Sequence, residues 1–280
     1  MLKTQIRSKS FTNRSSYTFT NSKFYLKFTP LLNIPHAVIM TKHIPNLITS
    51  LNLASGFIAI IFIANGDTVT GCWLILAAMI FDFMDGFSAR LLKAYSAIGK
   101  ELDSLADVIS FGVAPAFIIY KLLIDTFPMI SEDPLNPITP LAVIILIITA
   151  LMPVCAALRL AIFNLDETQT TTFRGLPTPA NALAVISVIL ACHFSDAAIF
   201  NSITGSPVIL IIFTIILSLM MVSRIPLISL KFANLKFGGN EGRYILIVSV
   251  MLSLIVLGIA GASLIIPLYI AVSLLSPLFD

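Results

Sequence analysis

The sequence predicts an all-α fold, a polytopic membrane helical bundle of about eight transmembrane helices. Three observations carry this expectation. Hydrophobic residues make up 58% of the chain and charged residues only 11%, whereas a soluble domain is about 25% charged. Mean hydropathy is +0.99. Apolar runs of spanning length recur along the chain, and each span needs roughly 20 mostly apolar residues. In lipid such runs form helices, because no backbone group can be left unpaired there. A soluble protein with an oversized core fits these figures far less well.

Residues 1–39 stand apart. They are rich in Ser, Thr and Asn, carry Lys3, Arg7, Lys9, Arg14, Lys23 and Lys27, and contain no acid. They lack the apolar run of a secretory signal, and their composition resembles an organellar transit peptide. The expectation is a disordered basic tail or a mis-annotated start, with translation beginning at Met40 and residues 40–280 forming a single transmembrane domain. Within it the spans fall at about 46–64, 68–92, 98–123, 139–163, 179–194, 206–223, 243–260 and 262–279. The last two meet at a Gly258–Gly261 turn and can form a helical hairpin.

Basic residues set the orientation. With the N-terminus inside, the inner loops hold Lys93, Lys100, Arg174, Arg224, Lys231, Lys236 and Arg243, and the outer loops hold Asp67, the stretch 125–140 and Asp196. Both termini are then cytoplasmic. Cys72, Cys155 and Cys192 lie in apolar runs without metal-ligand or CxxC spacing, so they read as small buried hydrophobes. No nucleic-acid partner is expected.

The chain is organised around residues 82–107, DFMDGFSARLLKAYSAIGKELDSLAD. Asp82, Asp85, Gly86, Ala89 and Arg90 share one helix face by their i, i+3, i+4, i+7, i+8 spacing, and Gly99, Asp103 and Asp107 share another by i, i+4, i+8. The short link makes the two helices antiparallel neighbours, so four carboxylates face one cavity. An Asp at mid-membrane costs roughly 2.5–3.5 kcal/mol on insertion scales. Arg90 balances one charge at most, so a divalent cation is the natural remedy, and an all-oxygen set suits Mg²⁺ or Mn²⁺ rather than zinc. Gly86, Ala89 and Gly99 serve either close helix packing or room for a ligand. Their place between carboxylates favours the ligand, and metal, Arg and small residues together suit a diphosphate.

The pattern D-x2-D-G-x2-A-R-x8-G-x3-D-x3-D, from Asp82 to Asp107, resembles the signature of the CDP-alcohol phosphatidyltransferase family, with every position filled. IPNLITSLNLASGF (44–57) resembles the family's first helix. SLADVISFGVAPA (104–116), LRLAIFN (158–164), FRGLPTPANA (173–182) and MVSRIP (221–226) are similar to its bacterial phosphatidylserine synthase branch. The likeness covers roughly residues 40–245. One departure is Ile162, where that branch often has Arg.

The resemblance implies a six-helix family core plus a C-terminal pair, in a bacterial inner membrane with the active site facing the cytoplasm. It implies transfer of the phosphatidyl group of CDP-diacylglycerol to L-serine, giving phosphatidylserine and CMP, by direct displacement in a homodimer embedded in membrane lipid. On that analogy Asp82, Asp85, Asp103 and Asp107 hold Mg²⁺ or Mn²⁺, and Asp107 is also the general base. Gly86, Ala89, Arg90, Ser96 and Gly99 contact the CDP moiety, with Asn46 and Thr49 as further candidates. Arg159, with Asn164 beyond it, either pairs with the serine carboxylate or serves structure by snorkelling or pairing with Asp166. Arg174 and Arg224 read as topology-setting. Asn181 and the GLPTP turn shape the pocket floor or merely break a helix. His36, His43 and His193 read as structural or solvent-facing. The signature does not fix the acceptor, so glycerol 3-phosphate or inositol phosphate stays open beside serine. From another class, a cation-coupled transporter remains the remote alternative.

Overall fold

The computed structural model describes residues 36–127, 139–165, 173–195, 197–228 and 239–275, side chains of 36–42 and 173 excepted. The predicted tail therefore lies outside the described residues, apart from the backbone of 36–39. The elements run α1 (His36–Ala64), α2 (Thr68–Leu91), α3 (Ala97–Asp107), a π-helical turn (Val108–Val113), α4 (Ala114–Asp125), α5 (Pro140–Leu165), β1 (Phe173–Arg174) and α6 (Thr178–Phe194). They continue with α7 (Ala198–Thr204), α8 (Pro207–Val222), β2 (Pro226–Leu227), α9 (Glu241–Leu257), a 3₁₀ segment (Gly258–Leu264) and α10 (Ile265–Leu275).

Among the described residues five helical stretches are long and apolar enough to cross a membrane: His43–Ala64, Thr68–Leu91, Ala97–Asp125, Pro140–Leu165 and Glu241–Leu275. Counting α7 and α8, which meet at 79°, as one broken span makes six. The protein is a helical membrane protein. Length and composition do not reproduce the expected eight spans. The helix α6 has only 17 residues, and the two final spans of the sequence reading count as one stretch. That stretch is broken, however. Gly258 adopts φ +59°, and Ser253 Oγ donates to Gly261 O at 3.3 Å, so the chain doubles back there.

The axis of the bundle is α3, the π turn and α4, whose apolar window is 61% buried against 17% for Glu241–Leu275. The π turn touches α1, α4, α5 and α6. Small residues permit this crowding. A Cβ on Gly56 of α1 would lie 2.7 Å from the Ser110 Cα, and one on Gly112 would lie 3.2 Å from the Pro153 Cα of α5. The sequence reading held residues 98–123 as one plain helix, and the extra-wide turn is new. Pro115 has no N–H to offer the Phe111 carbonyl four residues back. That carbonyl instead accepts from Asn181 Nδ2 of α6 at 3.0 Å. Buried backbone acceptors need a partner, and here the partner fastens α6 to the axis.

Three local devices set the site's frame. Asp67 caps α2, its side chain accepting from Thr70 N at 3.0 Å, and the Thr70 hydroxyl together with that backbone bond holds its carboxyl below the ordinary carboxylate range. At the other end α2 closes with Lys93 at φ +50°, Lys93 N bonding to Arg90 O at 3.3 Å and Ala94 N to Ala89 O at 3.0 Å. This is a left-handed helix stop, and it turns the chain straight into α3. Ser96 then caps α3, its Oγ accepting from Gly99 N at 2.9 Å.

The strands depart from the all-α expectation. They form one antiparallel ribbon, Phe173 opposite Leu227 and Arg174 opposite Pro226. Next to it Gly175 (φ +78°) crosses the end of α8, where a Cβ would lie 2.5 Å from Met221 O and 2.7 Å from Ser223 O. Gly175 N bonds to Ile225 O at 3.0 Å, and Leu176 N to Met220 O at 2.9 Å. The last carbonyls of a helix lack intrahelical donors, and the GLPTP segment supplies one here.

Candidate active site

Helical spacing does what the sequence predicts for three of the aspartates. Asp82, Asp85 and Asp103 each bring one carboxylate oxygen within 4.8 Å of the others. Asp85 is buried, and the Thr49 hydroxyl of α1 lies against it. Asp85 Oδ2 and Asp103 Oδ1 are buried without a hydrogen-bond partner. Buried charges persist only when paired or when they bind a cation. Orphaned, converging, all-oxygen donors fit a hard divalent ion.

Asp107 is one turn deeper. It is not among the converging three, although the sequence reading expected it to complete the cluster. Its Oδ1 accepts from Asn52 Nδ2 of α1 at 3.4 Å, and its Oδ2 from Thr178 Oγ1 of α6 at 3.4 Å. Thr178 Oγ1 in turn accepts from Arg159 Nη1 of α5 at 3.5 Å. Asn52 and Thr178 are fully buried.

Two cavities flank this arrangement. The first, about 570 Å³, has Asp85 and Asp103 in its wall together with Asn46, Thr49, Gly86, Ala89, Ser96 and Gly99. A Cβ on Gly86 would meet nothing within 4 Å, so its smallness leaves open space rather than a packing contact. Gly99 does the opposite: a Cβ there would lie 2.8 Å from Asn46 Oδ1, so it admits α1 close to α3. Arg90 is exposed and its Nε donates to Gly86 O at 2.9 Å, which places it beside the cavity rather than in its wall.

The second cavity, about 250 Å³, is lined by Arg159, Arg174 and Arg224 with Ile162, Phe163 and the end of α8. The Arg159 guanidinium lies over the Phe163 ring at 5.9 Å, and its Nε is buried without a hydrogen-bond partner. Ile162, the departure noted in the sequence, thus stands in the wall of a cationic cavity. Three guanidinium groups in a small space are suited to an anion, since each offers several donors in a fixed fork.

The family pattern of CDP-alcohol phosphatidyltransferases matches residues 42–223, which hold the first cavity and all of the second except Arg224. The chain belongs to the CDP-alcohol phosphatidyltransferase family. Among curated members of the family, it is 33% identical over 185 residues to the CDP-diacylglycerol–serine O-phosphatidyltransferase of Bacillus subtilis, covering 66% of this chain and 89% of that one. It is 31% identical over 216 residues to the enzyme of the same name from Helicobacter pylori, covering 75% and 80%. It is 35% identical over 155 residues to the archaetidylserine synthase of Methanothermobacter thermautotrophicus, covering 55% and 60%.

Within this family member some expected residues fall elsewhere. Asn164 is not in the arginine cavity. Its Nδ2 donates to Ser104 Oγ at 2.9 Å and its carbonyl accepts from Lys100 Nζ at 3.1 Å, so it ties α5 to the outer face of α3. The alternative partner of Arg159, Asp166, lies outside the described residues. His43 and His193 are exposed, and the His36 side chain lies outside the described residues. Cys72 and Cys155 are buried thiols, whereas Cys192 is only partly buried and its thiol donates to Asn201 Oδ1 at 3.2 Å.

Four residues were missed. Arg174 and Arg224 read as topology markers because nothing in a sequence pairs positions 50 apart, and the β1–β2 ribbon does so in space. Thr178 stood inside the GLPTP turn without being singled out, and Asn52 gave one signal: Asn46, Thr49 and Asn52 recur every third residue on an otherwise apolar helix. Such a polar stripe in a membrane helix faces something polar.

Proposed function

We propose that the protein transfers the phosphatidyl group of CDP-diacylglycerol to L-serine, forming phosphatidylserine and CMP. The observation that carries this reading is the position of Asp107. Asn52 ties it to α1, whose Thr49 lines the first cavity, and Thr178 ties it to Arg159, which lines the second.

In this reading the first cavity takes the CDP moiety. Gly86 and Ala89 leave room for the diphosphate along α2, Asn46 and Thr49 offer polar groups from α1, and Ser96 and Gly99 present the capped start of α3. Arg90 reaches the diphosphate by releasing its bond to Gly86. Asp82, Asp85 and Asp103 would hold Mg²⁺ or Mn²⁺, with Asp107 one turn deeper on the same helix. A divalent ion bound there would supply charge neutralisation at the diphosphate and its CMP leaving group.

The second cavity takes the acceptor. Arg159, Arg174 and Arg224 bind the serine carboxylate, leaving its hydroxyl to point toward Asp107. Asp107 removes the hydroxyl proton as the serine oxygen attacks the phosphatidyl phosphorus. One P–O bond forms to serine, and the P–O bond to the bridging oxygen breaks, which leaves with CMP. Asn52 and Thr178 hold the two Asp107 oxygens so that the accepting lone pair faces the hydroxyl. No covalent intermediate is required.

The same reading sets the protein in a bacterial inner membrane, with both cavities on the cytoplasmic side where the basic residues lie. Residues 40–280 form one transmembrane domain of about eight spans. In this count α6 is a short span, the bent pair α7–α8 another, and α9 and α10 a hairpin about Gly258. A homodimer rests on the family resemblance.

The test is CMP release from CDP-diacylglycerol with purified protein, divalent metal and a panel of alcohols. Turnover with L-serine and none with glycerol 3-phosphate or inositol phosphate is the expected result. Turnover with glycerol 3-phosphate and none with serine overturns the acceptor. No CMP release with any alcohol overturns phosphatidyl transfer.

A further inference from the structure

The family pattern ends at residue 223, yet α9 and α10 continue the chain to residue 275. The C-terminal pair needs a purpose, and its contacts give one. Leu227 and Pro226 form β2, and the next residue, Ile228, is held at both its backbone N–H and its carbonyl. Tyr269 Oη of α10 donates to Ile228 O at 3.1 Å, and Ile228 N donates to Ser273 Oγ of the same helix at 3.2 Å. Tyr269 and Ser273 are i and i+4 on α10, so one helix face presents a donor and an acceptor at the spacing of one residue's backbone. Both are buried.

This grip does not act on the arginine cavity by contact. It acts through the ribbon. Fixing Ile228 fixes β2, β2 pairs with β1, and the ribbon carries Arg174 at one edge and Arg224 two residues before the other. Gly175 and Leu176 anchor the far side of the ribbon on Ile225 and on the end of α8. A two-residue ribbon has too little pairing to hold itself, since even longer isolated hairpins are marginal.

We infer that Tyr269 and Ser273 are positioning residues for the acceptor: by clamping the Ile228 N–H and carbonyl, α10 holds Arg174 and Arg224 at the carboxylate of the incoming amino acid. The inference rests on the reading of the arginine cavity as the acceptor site. It gives α9 and α10 a role in acceptor affinity rather than in chemistry or in binding the lipid donor.

The test uses the full-length protein in detergent or vesicles, with Tyr269→Phe, Ser273→Ala and, in parallel, Arg174→Gln and Arg224→Gln. Loss of one such hydrogen bond is expected to raise the KM for L-serine about threefold to tenfold, the range of a single net hydrogen bond. The KM for CDP-diacylglycerol is expected to move far less, as is kcat at saturating serine. Serinol, which has the hydroxyl and amine but no carboxylate, is expected to be used equally poorly by wild type and both clamp variants. An unchanged serine KM in both clamp variants, with a raised one in the arginine variants, overturns the clamp and leaves the acceptor cavity standing. An unchanged serine KM in the arginine variants overturns the acceptor cavity and the clamp with it. A parallel fall of kcat and rise of both KM values in Tyr269→Phe and Ser273→Ala shows a general structural role and also overturns the clamp.

Discussion

Asn52 of α1 donates its Nδ2 to Oδ1 of Asp107, 55 residues away, at 3.4 Å. The asparagine is fully buried, and Ser110 Oγ bonds back to its carbonyl at 3.0 Å, so its own position is fixed from the π turn. Replacing it with Leu removes the amide and leaves a carboxylate oxygen without that donor. A hydrogen bond to a charged group is worth about 1.5–3 kcal/mol, so kcat is expected to fall roughly tenfold to a hundredfold. The KM for CDP-diacylglycerol, measured in the same CMP-release assay, is expected to stay close to wild type. A kcat within twofold of wild type would refute the orienting role.

Asp107→Asn keeps the size of the side chain and removes the basic oxygen. CMP release is expected to fall by about two orders of magnitude or more, the usual contribution of a general base. Binding of CDP-diacylglycerol, followed by its protection of the protein against thermal unfolding, is expected to persist. Robust turnover in this variant would move the base elsewhere.

Chelation tests the three converging carboxylates as a metal site. Removing divalent ions is expected to abolish CMP release, and Mg²⁺ or Mn²⁺ to restore it. Asp85→Asn, which replaces a buried carboxylate oxygen, is expected to raise the metal concentration for half-maximal activity. Full activity in excess chelator would refute a metal at Asp82, Asp85 and Asp103.

Two glycines are expected to behave in opposite ways. Gly86 faces open space, so Gly86→Val should leave the thermal midpoint nearly unchanged while raising the KM for CDP-diacylglycerol. Gly175 combines φ +78° with Met221 O at 2.5 Å from an added Cβ. Gly175→Ala should therefore destabilise the fold, by about 1–3 kcal/mol for the backbone conformation alone. Thermal unfolding in detergent, read beside the kinetics, separates the two. A folded, tight-binding Gly86→Val would deny the cavity its ligand.

The sequence made legible what is periodic. Apolar runs marked α2, α5 and α8 within a few residues and the end of α1 at Ala64, though not its start ten residues before the expected one, and i, i+4 spacing put Asp103 below Gly99 on the face that meets Asp82 and Asp85. What it hid is non-local. Arg159, Arg174 and Arg224 lie on a helix, a strand and a loop, and only the β1–β2 pairing and the Gly175 crossing bring them to one cavity. Thr178 was read only as part of the GLPTP turn, which shapes the pocket floor or breaks a helix, although its hydroxyl links Asp107 to Arg159. The π turn left no periodic trace, because widening one turn shifts the downstream face without changing composition. Pro115 was its one sign, through the carbonyl it leaves for Asn181.

The wide turn at Val108–Val113 has a consequence for how this chain can vary. A π turn holds about one residue more than an α turn, so the helix on its far side is rotated as if by a one-residue insertion. The stretch from Ala97 to Asp125 therefore sets its two halves independently. The first half obeys the spacing of its carboxylates, and the second obeys the packing of Ile118, Ile119 and Leu123 in the core. Deleting a single residue between 108 and 113 would restore an ordinary helix and turn one of those faces by about 100°, exchanging a lipid-compatible core for a misplaced reaction centre. Length within this turn is thus constrained as well as its small residues, Gly112 lying against Pro153.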